Sequence, residues 1–401
     1  MTTTTLDRSN TKSNTNTDQL DSMIDLLNAL VSQPSRGEVD STEPVLHVIS
    51  DWLDDQGIHH EWLRDEAGLP IGLCGEIKGG RPGPAYLLDA PTDTAPYGDP
   101  QAWLHPPDKA TIADGWMFGR GSADSKAGIA VFCHVLADLL PQAQQLAGTL
   151  CFVFDADEHT GRFAGIRRYM AAHSVEPLAG VMIGYPGNTR LVTGARGFLR
   201  AHLIVHGICA HSGSSGNHGV NAIERARILL ERLAAEPLTA TDADFPLPPK
   251  ITPTAIRGGG SYSLVPDRCE IELDLRLTPS FNDAAARMHL QAMVARLDAD
   301  GAASATLIEW LPGWPAYHLY PATPMVQALA AAAHEAFGHA VPLAVVGPSS
   351  IANFLATLGI PATAGLGVTY RNIHAPDECV LLESLEPTFL TYRNALLKLL
   401  G

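Results

Sequence analysis

The chain has 401 residues, 46% of them hydrophobic and 17% charged, and carries a formal net charge of −16 from 27 Lys+Arg against 43 Asp+Glu. That length favours two lobes over one, and the composition can support a sizeable buried core. The acidic balance speaks against nucleic acid and anionic membrane as partners.

The first eighteen residues, MTTTTLDRSNTKSNTNTD, are polar and low in complexity. They are expected to form a disordered tail (1–18) and lack the apolar core of a secretory signal. Apolar residues then recur at helical spacing from Leu20 to Val31, and a second helix is expected from Glu43 to Gln56, closed by Gly57. The strand-like runs AYLLDA and TLCFVFDA flank the helical KAGIAVFCHVLADLL. This order argues for an α/β lobe with buried strands.

The pattern changes near residue 195. FLRAHLIVHG alternates like a half-exposed strand, VNAIERARILLERLAAE is an amphipathic helix, KITPTAIRGG and RCEIELDLRL alternate again, and NDAAARMHLQAMVARLDA is helical. The result is a β-α-β-β-α unit of the ferredoxin-like type. PMVQALAAAAHEAFG, IANFLATLGIP and ATAGLGV then resume α/β alternation. No apolar run reaches the roughly 18 residues of a membrane span. Cys74, Cys133, Cys151, Cys209, Cys269 and Cys379 are scattered and form no CxxC pair, as expected of reduced thiols in a cytoplasmic protein.

Four acidic or histidine-bearing stretches follow apolar runs: DAPTDTAP, GRGSADSKAG, DADEHTG and GLGVTYRNIHAPDE. Strand ends are where α/β proteins gather functional side chains. Singly each stretch is weak, since an Asp in a Gly-rich turn is usually a turn former. Together and in this order they are a much stronger signal.

On these blocks the chain resembles the metallopeptidase family that includes acetylornithine deacetylase, succinyl-diaminopimelate desuccinylase and aminoacylase. GDPQAWLHPPDKATIADGWMFGRGSADSKAG resembles the family block around a metal-bridging Asp, here Asp124. HGICAHSGSSGNHGVNAI resembles the block that opens the lid and carries a histidine, here His211, and IHAPDE matches the late metal-binding histidine, here His374. The resemblance implies an α/β, zinc-peptidase-like catalytic domain (19–193 and 308–401) with a mixed sheet flanked by helices. A ferredoxin-like α+β lid or dimerisation domain (194–307) interrupts it.

The family holds two zinc ions bridged by the Asp. Carried over, Glu158 falls on the general base and His159 on a Glu ligand; Pro91 replaces the early His ligand and Tyr185 a carboxylate ligand. Asp93 of the early motif survives as support behind the metal. A slip of one residue would exchange roles among Asp157, Glu158 and His159. Proline has no side-chain donor atom, and a neutral phenol is a poor ligand for a divalent ion. Both private ligands of one site are lost together. One divalent transition metal per subunit is therefore expected, manganese or zinc, on Asp124, His159 and His374.

The resemblance also implies substrate contacts at Arg276, which would grip a carboxylate, and at His211, which would complete a neighbouring subunit's site. Ser263 and Tyr185 are further substrate-binding candidates, and Ser349 and Ser350 in GPSS would border the pocket. The partners implied are a small-molecule substrate and a second subunit, as a homodimer or a larger assembly of dimers. The activity implied is metal-dependent C–N hydrolysis. Loss of a second ion fits a family type that deaminates nitroaromatic amino acids. A peptidase or N-acyl-amino-acid deacylase is the first alternative, and a non-catalytic binding protein on the same scaffold the second.

Overall fold

The structure is a computed structural model that describes residues 9–401 except 174–176, 217–218, 237, 239–241 and 243–244. Its main sheet has six strands in the order Glu61–Arg64, Pro70–Lys78, Ala147–Asp155, Arg81–Pro91, Gly180–Ile183 and Ala362–Ala364. The first two pairings are antiparallel and the remaining three parallel. In the parallel part, Pro91 lies opposite Asp155 and Asp89 opposite Ile183. The central strands thus end level with one another. Their continuations carry Asp93, Glu158 with His159, and Tyr185 to one edge of the sheet.

One face of this sheet is covered by the helices Ser9–Val31, Ala127–Leu139, Pro324–Phe337 and Leu385–Leu400, around a core that includes Leu27, Leu88, Phe132, Phe152 and Phe389. The helix Ala127–Leu139 is apolar almost all round, as a helix enclosed by sheet and neighbours must be. The other face packs against Ala164–Ala172 and Ile351–Thr357 through Leu87, Val153, Ile166 and Leu355. All six cysteines are free thiols, and Cys209 alone among them is exposed.

Two differences from the sequence reading concern boundaries. The first helix begins at Ser9, inside the stretch expected to be tail, while residues 1–8 lie outside the described residues. Once the apolar turns beyond Leu20 have nucleated a helix, each added residue closes another backbone bond at little entropic cost. The second lies at 307. The strand Leu307–Trp314 pairs with Gly197–His206 in the lid sheet, so the chain leaves the lid only after Trp314. Pro312 and Gly313 break its period-two pattern, and only an edge strand tolerates such residues.

The lid sheet is antiparallel, in the order Lys250–Gly258, Arg268–Leu277, Gly197–His206 and Leu307–Trp314. Burial alternates strictly along Arg268–Leu277, so every second side chain enters the core. Leu203, Ile271 and Leu275 there meet Leu229, Leu290 and Met293 from the helices Ala222–Ala235 and Asp283–Asp298. The helices begin on Asn221 and Asn282, whose side chains accept N–H groups of the first turn. The fourth strand completes the ferredoxin-like order.

The chain crosses between lobes twice, at residues 195–197 and 314–317. These crossings run side by side: Trp314 pairs with Phe198 on the lid side and Tyr317 with Ala195 on the catalytic side. The Trp314 indole also donates to the Gly161 carbonyl at 2.8 Å.

Candidate metal centre

Asp124 stands in the turn Ser122–Lys126, entered through Gly121 at φ +83°. A side chain at Gly121 would meet Thr94 Cγ2 at 2.4 Å, so glycine is needed there on both grounds. Asp124 is buried, and its Oδ1 accepts the Ser125 hydroxyl at 2.6 Å. Its Oδ2 lies 2.8 Å from His374 Nε2 and 3.5 Å from His159 Nε2. The donor atoms of Asp124, His159 and His374 all fall within 4.8 Å of one another.

Asp93 organises the loop that carries His159. Its Oδ1 accepts the Glu158 N–H and its Oδ2 the His159 N–H, each at 3.0 Å. The same Oδ2 stands 3.3 Å from His159 Nδ1. With Nδ1–H directed at this carboxylate, Nε2 of the neutral ring is left as a lone-pair donor facing Asp124. His159 Nε2 is also buried without a hydrogen-bond partner. An orphaned imidazole nitrogen beside a carboxylate and a second imidazole suits a divalent transition metal.

The electrostatics agree. Burial works against a charged His159 ring, but Asp124 and Asp93 overcome it and raise its pKa to about 11. Burial likewise disfavours ionised Asp124, yet bonds from His159 and His374 hold it below the usual carboxylate range. The centre is anionic enough to demand a positive charge, and a metal ion would meet that demand.

Glu158 sits beside this trio without joining it. Its pKa is raised to about 7, first by burial, with His159 opposing and Asp124 adding to the rise. The Tyr185 phenol donates to its Oε1 at 2.6 Å, and His159 Nδ1 lies 3.4 Å from its Oε2. A partly buried carboxylate titrating near neutrality suits proton transfer. Asp157 instead accepts the Thr160 hydroxyl at 2.6 Å and pairs with Arg162, away from the Glu158 and His159 side chains.

The structure brings together Asp93, Asp124, Glu158, His159, Tyr185 and His374. Pro91, at the end of its strand, offers no ligand atom, and the Tyr185 hydroxyl is engaged by Glu158. Arg276 stands on the lid strand Arg268–Leu277, with Nε on Asp274 at 2.7 Å and Nη1 3.4 Å from Ser349 Oγ across the seam. Ser350 opens the helix Ile351–Thr357, its N–H donating to Asn353 Oδ1 at 2.8 Å. His211 and Ser263 sit together on an exposed patch of the lid, where the short strands Ala210–His211 and Leu264–Val265 pair and Ser212 N donates to the Ser263 carbonyl at 2.9 Å. Among the described residues, neither bonds to Asp124, His159 or His374. The sequence reading passes over Glu378 and Arg120, a buried ion pair behind Asp124. Their only signals are their places in IHAPDE and GRGSAD.

Residues 87–398 match the model of peptidase family M20/M25/M40. The chain belongs to this family. It is a metal-dependent hydrolase acting on C–N bonds. Among M20 relatives, the succinyl-diaminopimelate desuccinylase of Hydrogenovibrio crunogenus is 27% identical over 370 residues, covering 88% of this chain and 93% of the relative. The fold matches aminopeptidase PepT of Bacillus cereus with a TM-score of 0.73 at 21% identity, over 95% of this chain and 98% of that one. It also matches the YXEP protein of Bacillus subtilis, a dinuclear metal-binding peptidase of family M20 (TM-score 0.72, 18% identity, 96% and 99% covered). Among the described residues, no helix is long and apolar enough to cross a membrane.

Proposed function

We propose that this M20 protein is a one-metal aminohydrolase. Its substrate is a nitro-substituted aromatic amino acid such as 5-nitroanthranilate, converted with water to 5-nitrosalicylate and ammonia. The observation that carries this reading is the ligand set: one trio, with Pro91 and an occupied Tyr185 where a second ion's private ligands would stand.

Asp124, His159 and His374 would hold manganese or zinc. Such an ion, when bound, lowers the pKa of water towards neutrality. Glu158, partly buried and titrating near 7, takes the proton from the attacking water and later delivers it to the departing nitrogen. Tyr185 holds Glu158 in place by its short hydrogen bond. Asp93 holds the His159 ring in the tautomer that presents Nε2. Arg276, fixed by Asp274 at the seam, supplies a guanidinium for the substrate carboxylate. The nitro group para to the amine takes up negative charge as the ring carbon is attacked, so no carbonyl needs a second Lewis acid. A second copy of the chain, docked through the lid, would bring its exposed His211 to this site.

Similarity to a desuccinylase supports the competing reading, an N-acyl-amino-acid deacylase. Ammonia release from 5-nitroanthranilate and from anthranilate, with Mn(II) or Zn(II) added, separates the two. Rapid release from the nitro compound and far slower release from anthranilate is the expected result. Equal rates on both compounds would overturn ring attack. Silence on both, with brisk cleavage of N-acyl amino acids, would establish the deacylase.

A further inference from the structure

We propose that Glu378 and Arg120 form a positioning pair that sets the separation of Asp124 and His374, and through it the affinity of the centre for its ion. The proposal rests on the trio being the ligand set. It needs no particular substrate.

Glu378 lies four residues beyond His374, and Arg120 four residues before Asp124. Both are deeply buried, with relative exposures of 0% and 2%. One oxygen of Glu378 meets Arg120 Nη1, while the other accepts the N–H groups of Ala123 and Asp124 at 3.0 and 3.1 Å. A single carboxylate therefore holds both the guanidinium and the backbone of a metal-binding residue. The Glu378 carbonyl adds bonds from the Gly119 N–H at 3.0 Å and the Ser122 hydroxyl at 3.3 Å. Arg120 Nη2 returns to the Ala375 carbonyl at 3.4 Å, directly after His374. Trp103 lies over the guanidinium, its ring centroid 5.1 Å from Arg120 Cζ.

These bonds lock together two segments 250 residues apart, whose side chains meet at Asp124 Oδ2 and His374 Nε2. The lock has strain to hold. His374 and Asp377 adopt φ of +59° and +55°, a left-handed conformation that an L-residue keeps only when its surroundings impose it. Without the Glu378 charge, the Asp124 turn and the His374 loop lose their common anchor, and Arg120 is left buried without its counter-ion.

The test is Mn(II) binding by the purified, metal-stripped full chain, measured by titration calorimetry without substrate. Glu378→Gln keeps an acceptor for the two amides but cannot neutralise Arg120, and is expected to bind Mn(II) about 10–100-fold more weakly than wild type. The double variant Arg120→Met/Glu378→Gln removes the unpaired charge, and decides the matter if the single variant fails to fold. It should match the metal-free wild type in thermal unfolding and still show the weakened binding. A folded variant of either kind binding Mn(II) within about twofold of wild type would overturn the proposal, leaving the pair a structural role only. His159→Ala serves as control: its loss of binding keeps the trio assignment intact whatever Glu378 does.

Discussion

The edge of the catalytic sheet that carries the candidate metal centre and the lid residues proposed to meet substrate are built in opposite ways. At the metal edge, Asp93 alone gathers two backbone N–H groups and lies beside an imidazole nitrogen, and every member of the constellation is tied to another. On the lid, His211 and Ser263 are exposed and, among the described residues, bond within their own short strand pair, while Arg276 reaches across the seam through one long contact to Ser349. One side is preorganised before any ligand arrives. The other is a set of exposed or loosely held side chains. Preorganisation belongs where charge must be stabilised at no reorganisation cost; looseness belongs where a substrate must enter.

Substitutions should expose this contrast, most severely on the rigid side. His159→Ala removes a ligand atom and should abolish stoichiometric Mn(II) binding in calorimetry together with activity; retained binding would mean that the centre lies elsewhere. Glu158→Gln preserves shape and should lower turnover by about two to four orders of magnitude while leaving metal affinity largely intact. If turnover and affinity fell together, Glu158 would be acting as a ligand. On the loose side, Arg276→Lys keeps the charge but loses the fork, so KM should rise about 10–100-fold with little change in kcat, the equivalent of one charged hydrogen bond. An unchanged KM would leave Arg276 as the partner of Asp274 alone. Ser263→Ala should have the smallest effect, changing stability by no more than about 0.5 kcal/mol in a denaturant titration. A large loss there would show that this strand pair is already ordered for a partner.

Pairing of subunits bears on the same contrast. Light scattering at assay concentration should report a dimer or a multiple of dimers, with His211→Ala lowering activity without dissociating it. A fully active monomer would remove the second copy from the site.

Much of this arrangement could be anticipated from residue order, for physical reasons that differ by region. The strands AYLLDA and TLCFVFDA announce themselves because buried parallel strands are continuous apolar runs, and Asp93, Glu158 and His159 follow directly at their ends. Arg268–Leu277 is equally plain through its strict alternation. The strand Leu307–Trp314 is obscured by Pro312 and Gly313, and Pro70–Lys78 by a proline at its start and two glycines. In the site, individual ligands could be proposed from local motifs, but the bonds between them could not. Glu378 anchors Asp124 across 254 residues of chain, and nothing local to either residue foretells that contact. The same holds for the Tyr185 phenol, whose partner Glu158 is 27 residues away.

The two crossings between lobes act as a door on a pair of adjacent hinge pins. Because they are bonded to each other above and below the seam, twisting the lid would shear both pairings at once, whereas bending across the pair leaves each pairing intact. The easy movement is therefore a swing in a single plane. Trp314, at the top of one pin, grips the carbonyl of Gly161, two residues from His159. A swing of the lid would therefore pull on the loop that carries His159.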